Sequence, residues 1–161
     1  EAGLVDPLGS VYQFAHSGIR TAIYGQIDVG RRRRLHAAIG RHLLRAGGGA
    51  AALIDRPRAD LFMVVDQLDA GFMETDRGSD DETDIVDLAA LNVHAGQRAM
   101  NDGAWQGARR YFAQAEALFG REDVGEVSSE LRFSARLGLA QSQLLAGELE
   151  AAETGFAELL S

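Results

Sequence analysis

The sequence predicts an all-α fold in which helical hairpins repeat, preceded by a short strand and two helices. Three observations carry that expectation. Apolar residues after Ile19 recur at intervals of three and four, the spacing that gathers side chains on one face of a helix. From Asp84 onward the chain matches itself at a shift of 44 residues. Only Tyr12 and Phe14, alternating with Gln13 and Ala15, follow the two-residue period of a strand.

Behind that strand, Ile19, Ala22, Ile23 and Ile27 mark the apolar face of a first helix, and Leu35, Ile39 and Leu43 that of a second. Asp28-Val29-Gly30 is expected to separate the two, since glycine leaves helical geometry most readily. Gly47-Gly48-Gly49, an alanine run and Pro57 mark a boundary, after which a helix starting between Pro57 and Asp60 should bury Leu61, Val65, Leu68 and Phe72. Glu74–Asp84 contains no apolar residue and reads as an acidic loop whose last residues cap the following helix. It lacks the sixth-position glycine and the closing glutamate of a calcium loop, which favours a solvated linker. The expected organisation is a front unit at 1–46, a linker with connecting helix and acidic loop at 47–83, and two repeat hairpins at 84–161.

At the 44-residue shift, Leu91–Gln97 falls on Ala135–Gln141, Gly103 on Gly147, Trp105 on Leu149, Ala108 on Ala152 and Phe112 on Phe156. The pattern of a glycine, an aromatic or leucine, an alanine and a phenylalanine resembles the tetratricopeptide repeat. That resemblance implies a glycine in each turn, a small residue where paired helices approach, and a phenylalanine between successive hairpins. Gly96 and Ala140, each seven residues before a turn glycine, suit the close-contact position of the first helix. Trp105, Tyr111, Phe112 and Phe119 are then core of the repeats. Two hairpins fall short of the roughly three repeats that stand alone, so the helices of residues 17–72 are expected to act as a cap, with further repeats after Leu159-Leu160.

The front carries a second resemblance. An aromatic strand ending Phe14-Ala15-His16, followed by a helix and by Leu35-His36-x-x-Ile39-Gly40-x-x-Leu43, resembles the end of the winged-helix part of STAND-type signal-transduction ATPase modules. Leu61–Gly71 resembles the next helix of the branch found in large serine/threonine kinases and hybrid histidine kinases. Ser17 stands where the family more often has aspartate. The resemblance implies a non-catalytic regulatory and protein-interaction fragment of a signalling ATPase or kinase. Its helical repeats would bind a protein or an intramolecular domain, and its winged-helix end would face an upstream ATPase core that holds ATP or ADP. It also implies a contact from His16 to the ADP phosphate in the intact parent. The residue-level alternative is a histidine packed between strand and helix. The same architecture occurs in LuxR-type transcriptional activators, which is the alternative parent.

Composition narrows the chemistry. All sixteen basic residues are arginine, so a phosphate-binding loop with its lysine, a Schiff-base lysine and the strand lysine of a protein kinase are excluded from this stretch. The lack of cysteine removes disulfides, thiolate nucleophiles and cysteine-based metal sites. With no cofactor site of its own, no apolar run of membrane-spanning length and no charged-then-apolar leader, the expectation is a cytoplasmic, non-enzymatic piece. Charge divides sharply, at +5 over residues 1–58 and −13 over residues 59–161, so the rear would repel nucleic acid. Arg31, Arg32, Arg33 and Arg34 occupy the first turn of a helix, where the macrodipole disfavours cations. Phosphate, nucleic acid or an acidic neighbouring domain would compensate them, and so would a solvated patch paired with Asp28. His36 and His42 lie six residues apart, too far to share a helix face as metal ligands, and His94 is remote, so no metal site is expected. A free-standing nucleic-acid-binding module using the arginine run is the reading from a different functional class.

Overall fold

The computed structural model describes residues 5–8, 11–14, 17–55, 58–72, 82–121, 124 and 127–160. Among these the fold is all-α, with eight helices, apart from one two-stranded hairpin at the front. Strand β1 (Val5–Leu8) pairs antiparallel with β2 (Val11–Phe14), placing Val5 opposite Phe14 and Leu8 opposite Val11. The expected strand at Tyr12–Phe14 is thus the second of a pair.

Helix α1 (Ser17–Gln26) gives way at Ile27 to α2 (Val29–Ala46). Gly30 does not make the break, as the sequence had implied; it lies inside α2. Asp28 ends one helix and starts the next, taking an extended ψ of 153° while its Oδ1 accepts the Arg31 backbone N–H at 2.9 Å. A side-chain acceptor on an otherwise unpaired first-turn amide is the N-cap interaction that aspartate supplies and glycine cannot.

The buried face of α2 also differs from the apolar stripe expected for it. Leu35 and Ile39 are 45% and 46% exposed, and the residues that disappear from solvent are Ala37 and Gly40. The reason is α4 (Arg58–Gly71), which crosses so closely that only small residues fit. A Cβ on Gly71 would lie 2.2 Å from the Ala37 backbone nitrogen, and one on Gly40 would lie 2.7 Å from Leu68 Cδ2. Residue 37 meets 71 and residue 40 meets 68, so the two helices run antiparallel.

Between them the three glycines form a turn, with Gly48 and Gly49 at φ 90° and 88°, and the alanine run becomes a short helix, α3 (Ala50–Ile54). Leu53 of α3 joins the main core with Leu61, Val64 and Val65 of α4, and the Arg98 guanidinium donates to the Ile54 carbonyl. Leu61 and Val65 are buried as expected, while Leu68 and Phe72 pack at the core's margin.

Two helical hairpins follow, α5 (Glu82–Asn101) with α6 (Trp105–Phe119), and α7 (Ser129–Leu145) with α8 (Leu149–Leu159). Their turns share a backbone hydrogen-bond pattern at the 44-residue shift. Ala104 N–H donates to the Ala99 carbonyl and Glu148 N–H to the Gln143 carbonyl, both at 2.9 Å. Gly103 and Gly147 take φ 72° and 85°, the left-handed region that any Cβ would strain. Ala104 and Glu148 then enter the second helices at ψ 63° and 66°.

Small residues set the spacing of the stack. The fully buried ring of Phe112 lies between Gly96 of its own first helix and Gly138 of the next hairpin; a Cβ would come within 2.8 Å and 2.3 Å of it respectively. Trp105 is only half-buried, while Tyr111 and Phe119 belong to the core. Most of the acidic stretch Glu74–Asp84 lies outside the described residues, and Glu82–Asp84 form the first turn of α5.

Candidate functional site

The most developed polar arrangement among the described residues is a seam where α4 meets the first hairpin. Asp66 and Asp69 stand three residues apart on α4 and therefore share a face. Asp66 Oδ1 accepts from Arg110 Nη2 at 2.8 Å and from the Tyr111 hydroxyl at 3.0 Å. Asp69 Oδ1 accepts from Asn92 Nδ2 at 2.8 Å, and the same amide group donates to the Leu88 carbonyl at 3.1 Å. Asn92 is completely buried on α5, and its Oδ1 has no hydrogen-bond partner. The Tyr111 ring stacks on Phe62 of α4 at 5.5 Å, and the Arg110 guanidinium lies 4.5 Å from the centroid of the same Tyr111 ring. Three helices are thereby joined by side chains at one place.

Burial sets the electrostatics of the seam. It pushes the Asp69 carboxyl up to about 6, against the bond from Asn92 and the nearby Arg110 charge, which favour ionisation. The Tyr111 phenol is pushed up to about 12 by burial and by its bond to the Asp66 carboxylate, which favours the protonated form. Each acid already accepts hydrogen bonds from the protein's own side chains. The chemistry of the arrangement is that of a latch between elements, with Asp69 as its pH-sensitive member.

The sequence had pointed elsewhere. His16 lies outside the described residues. Arg31–Arg34 follow Val29 and Gly30 across the first and second turns of α2, with Arg31 and Arg34 exposed and Arg32 and Arg33 half-buried. The Arg32 guanidinium sits 5.0 Å over the Tyr24 ring, and the antiparallel crossing of α2 and α4 carries the arginine turn toward the C-terminal end of α4.

His36 is a packing residue. Its Nε2 is 2.6 Å from the Tyr24 hydroxyl and its Nδ1 is 2.7 Å from Gln67 Oε1, which ties α1 to α2 and α2 to α4. His42 is exposed, and His94 is half-buried on α5, its pKa held below the usual value by burial and by the Arg98 charge. Among the described residues no three histidine, aspartate or glutamate side chains converge as a metal site, and no helix is long and apolar enough to cross a membrane.

Sequence reasoning passed over Asp66, Asp69 and Asn92. The available signal was their setting, two aspartates three apart inside Leu61–Gly71 and an asparagine inside Leu88–Val93, since polar groups in apolar helical runs need buried partners. No protein-family model matches the chain, and no curated protein or solved structure matches it either.

Proposed function

We propose that the chain is a non-catalytic regulatory and protein-interaction unit of a large signalling ATPase or kinase. In this reading its α5–α8 hairpins form a tetratricopeptide-like stack that binds a protein or an intramolecular domain. The β-hairpin and α1–α2 form the winged-helix-like end that faces an upstream core holding ATP or ADP. The observation that supports it most is the seam at Asp66, Asp69, Asn92, Arg110 and Tyr111. Through it α4, which is locked to α2 by the Ala37–Gly71 crossing, is also bonded to both helices of the first hairpin. A partner that shifts the hairpins would then move α2 through packed and bonded helices, the kind of two-ended element that signal coupling needs.

Amide hydrogen exchange tests the coupling. Tyr111→Phe, a change on α6, is expected to speed exchange across α2 as well as α4; an effect confined to α6 would remove the mechanical link. Calorimetry with MgATP is expected to show no micromolar binding to the chain, given the absence of lysine.

The exposed positions of Arg31 and Arg34 favour one second reading, nucleic-acid binding through the start of α2. It requires DNA affinity that falls steeply with salt and disappears in Arg31→Ala with Arg34→Ala. A LuxR-type activator as the parent is distinguished by a helix-turn-helix, in place of kinase domains, in the flanking gene sequence.

A further inference from the structure

The two hairpins share one geometry but not one covering. On α6, Arg109, Phe112 and Glu116 lie on a single helical face and all three touch the second hairpin. Arg109 Nη1 pairs with Glu148 Oε1 at 3.0 Å, Phe112 packs on Gly138, and Glu116 Oε2 accepts from Arg136 Nε at 3.1 Å. Shifted by 44 residues, these become Glu153, Phe156 and Leu160 of α8 and its cap. Glu153 is exposed, Phe156 is half-buried where Phe112 is fully buried, and Leu160 is 89% exposed.

We infer that this face of α8 is a docking surface for a further helical hairpin supplied from outside these residues, seated as α7–α8 is seated on α6. The existing interface fixes the chemistry of the occupant. A glycine must stand opposite Phe156, because the equivalent ring leaves no room for a Cβ on Gly138. Glu153 has the opposite sign to Arg109, so the turn residue that meets it is basic where Glu148 is acidic. Leu160 replaces Glu116, so the residue that meets it is apolar where Arg136 is charged.

A second copy does not fit head to tail. The Gly138 side of its α7 is already filled by Phe112, and Leu88, Ala89 and Leu91 of its α5 are buried in the main core. The inference stands on the hairpins alone and does not depend on an upstream nucleotide core.

The test extends the full chain after Ser161 with a second copy of its own residues 118–161, which keeps the 44-residue register, with Arg136→Leu and Glu148→Arg made in the appended copy. Amide exchange across residues 149–160 is expected to slow by about tenfold or more relative to the unextended chain, because an end helix becomes an internal one. Phe156→Ala and Glu153→Arg should each abolish most of that gain, and returning Arg to Glu at position 148 of the copy should restore it in Glu153→Arg. Unchanged exchange across α8, or a Phe156→Ala effect equal in the extended and unextended chains, overturns the inference. Sedimentation of the unextended chain is expected to show a monomer; a dimer dissolved by Phe156→Ala would assign the face to a second copy and overturn it too.

Discussion

Gly71 rests on Ala37 with no space for even one carbon between them, a Cβ at residue 71 falling 2.2 Å from the Ala37 nitrogen and 2.5 Å from its Cα. Both neighbours are backbone, so neither can move aside without separating α2 from α4. Gly71→Ala is therefore expected to cost about 1–3 kcal/mol, the range of overpacking, although alanine is the better helix former. Denaturant titration checks this. A variant as stable as the parent would mean that the crossing is looser than described.

A paired substitution examines the stack. Gly138→Ala forces its Cβ into the Phe112 ring, and Phe112→Leu alone leaves part of that space empty. Each should destabilise by about 1–3 kcal/mol, and together they should cost clearly less than their sum, because each relieves what the other creates. Strict additivity would show that the two residues do not touch.

Ala108 and Ala152 each stand one turn into the second helix of a hairpin and are buried. Ala108→Leu is expected to cost about 1–3 kcal/mol, whereas Gln106→Leu on the exposed side of the same helix should stay within about 0.5 kcal/mol. Thermal unfolding compares them directly.

Stability should depend on pH through Asp69. Its carboxyl titrates near 6 in the folded chain and near 3.8 when solvated, so between those values the folded state holds the proton more tightly. The contribution is complete below pH 3.8, is lost as pH rises toward 6, and is flat above. Asp69→Asn keeps an oxygen to accept from Asn92 and removes the titration. The difference in denaturation midpoint between parent and variant should therefore move against the parent across that window while other carboxylates cancel. A constant difference would mean that folding leaves the titration of Asp69 where it is in the unfolded chain.

What the sequence reveals depends on which residues carry the packing. Both helical hairpins could be read because turn glycines and large apolar residues recur together, and Gly103 and Gly147 both take positive φ in their turns. The α2 face was misread for the opposite reason. Periodicity weighs large side chains, and here Ala37 and Gly40 are buried because they are small, leaving Leu35 and Ile39 outside. Asp66 looks like an ordinary surface acid until α6 is laid against it, since its partners Arg110 and Tyr111 lie more than forty residues away, and Asp69 looks so until α5 brings Asn92 to it. The tie of His36 to Gln67 is likewise a product of the α2–α4 crossing.

Helices that pack most extensively here are close along the chain, α2 with α4, α5 with α6, α6 with α7 and α7 with α8. Few long loops must close before such contacts form, which places the chain among rapidly folding topologies and lets it lose structure piece by piece from either end. Its single tryptophan, Trp105, begins α6 with its indole against the turn at Gly103, so intrinsic fluorescence follows the first hairpin while circular dichroism follows every helix. Melting curves from those two signals should separate, with the dichroism falling first as the outer helices fray.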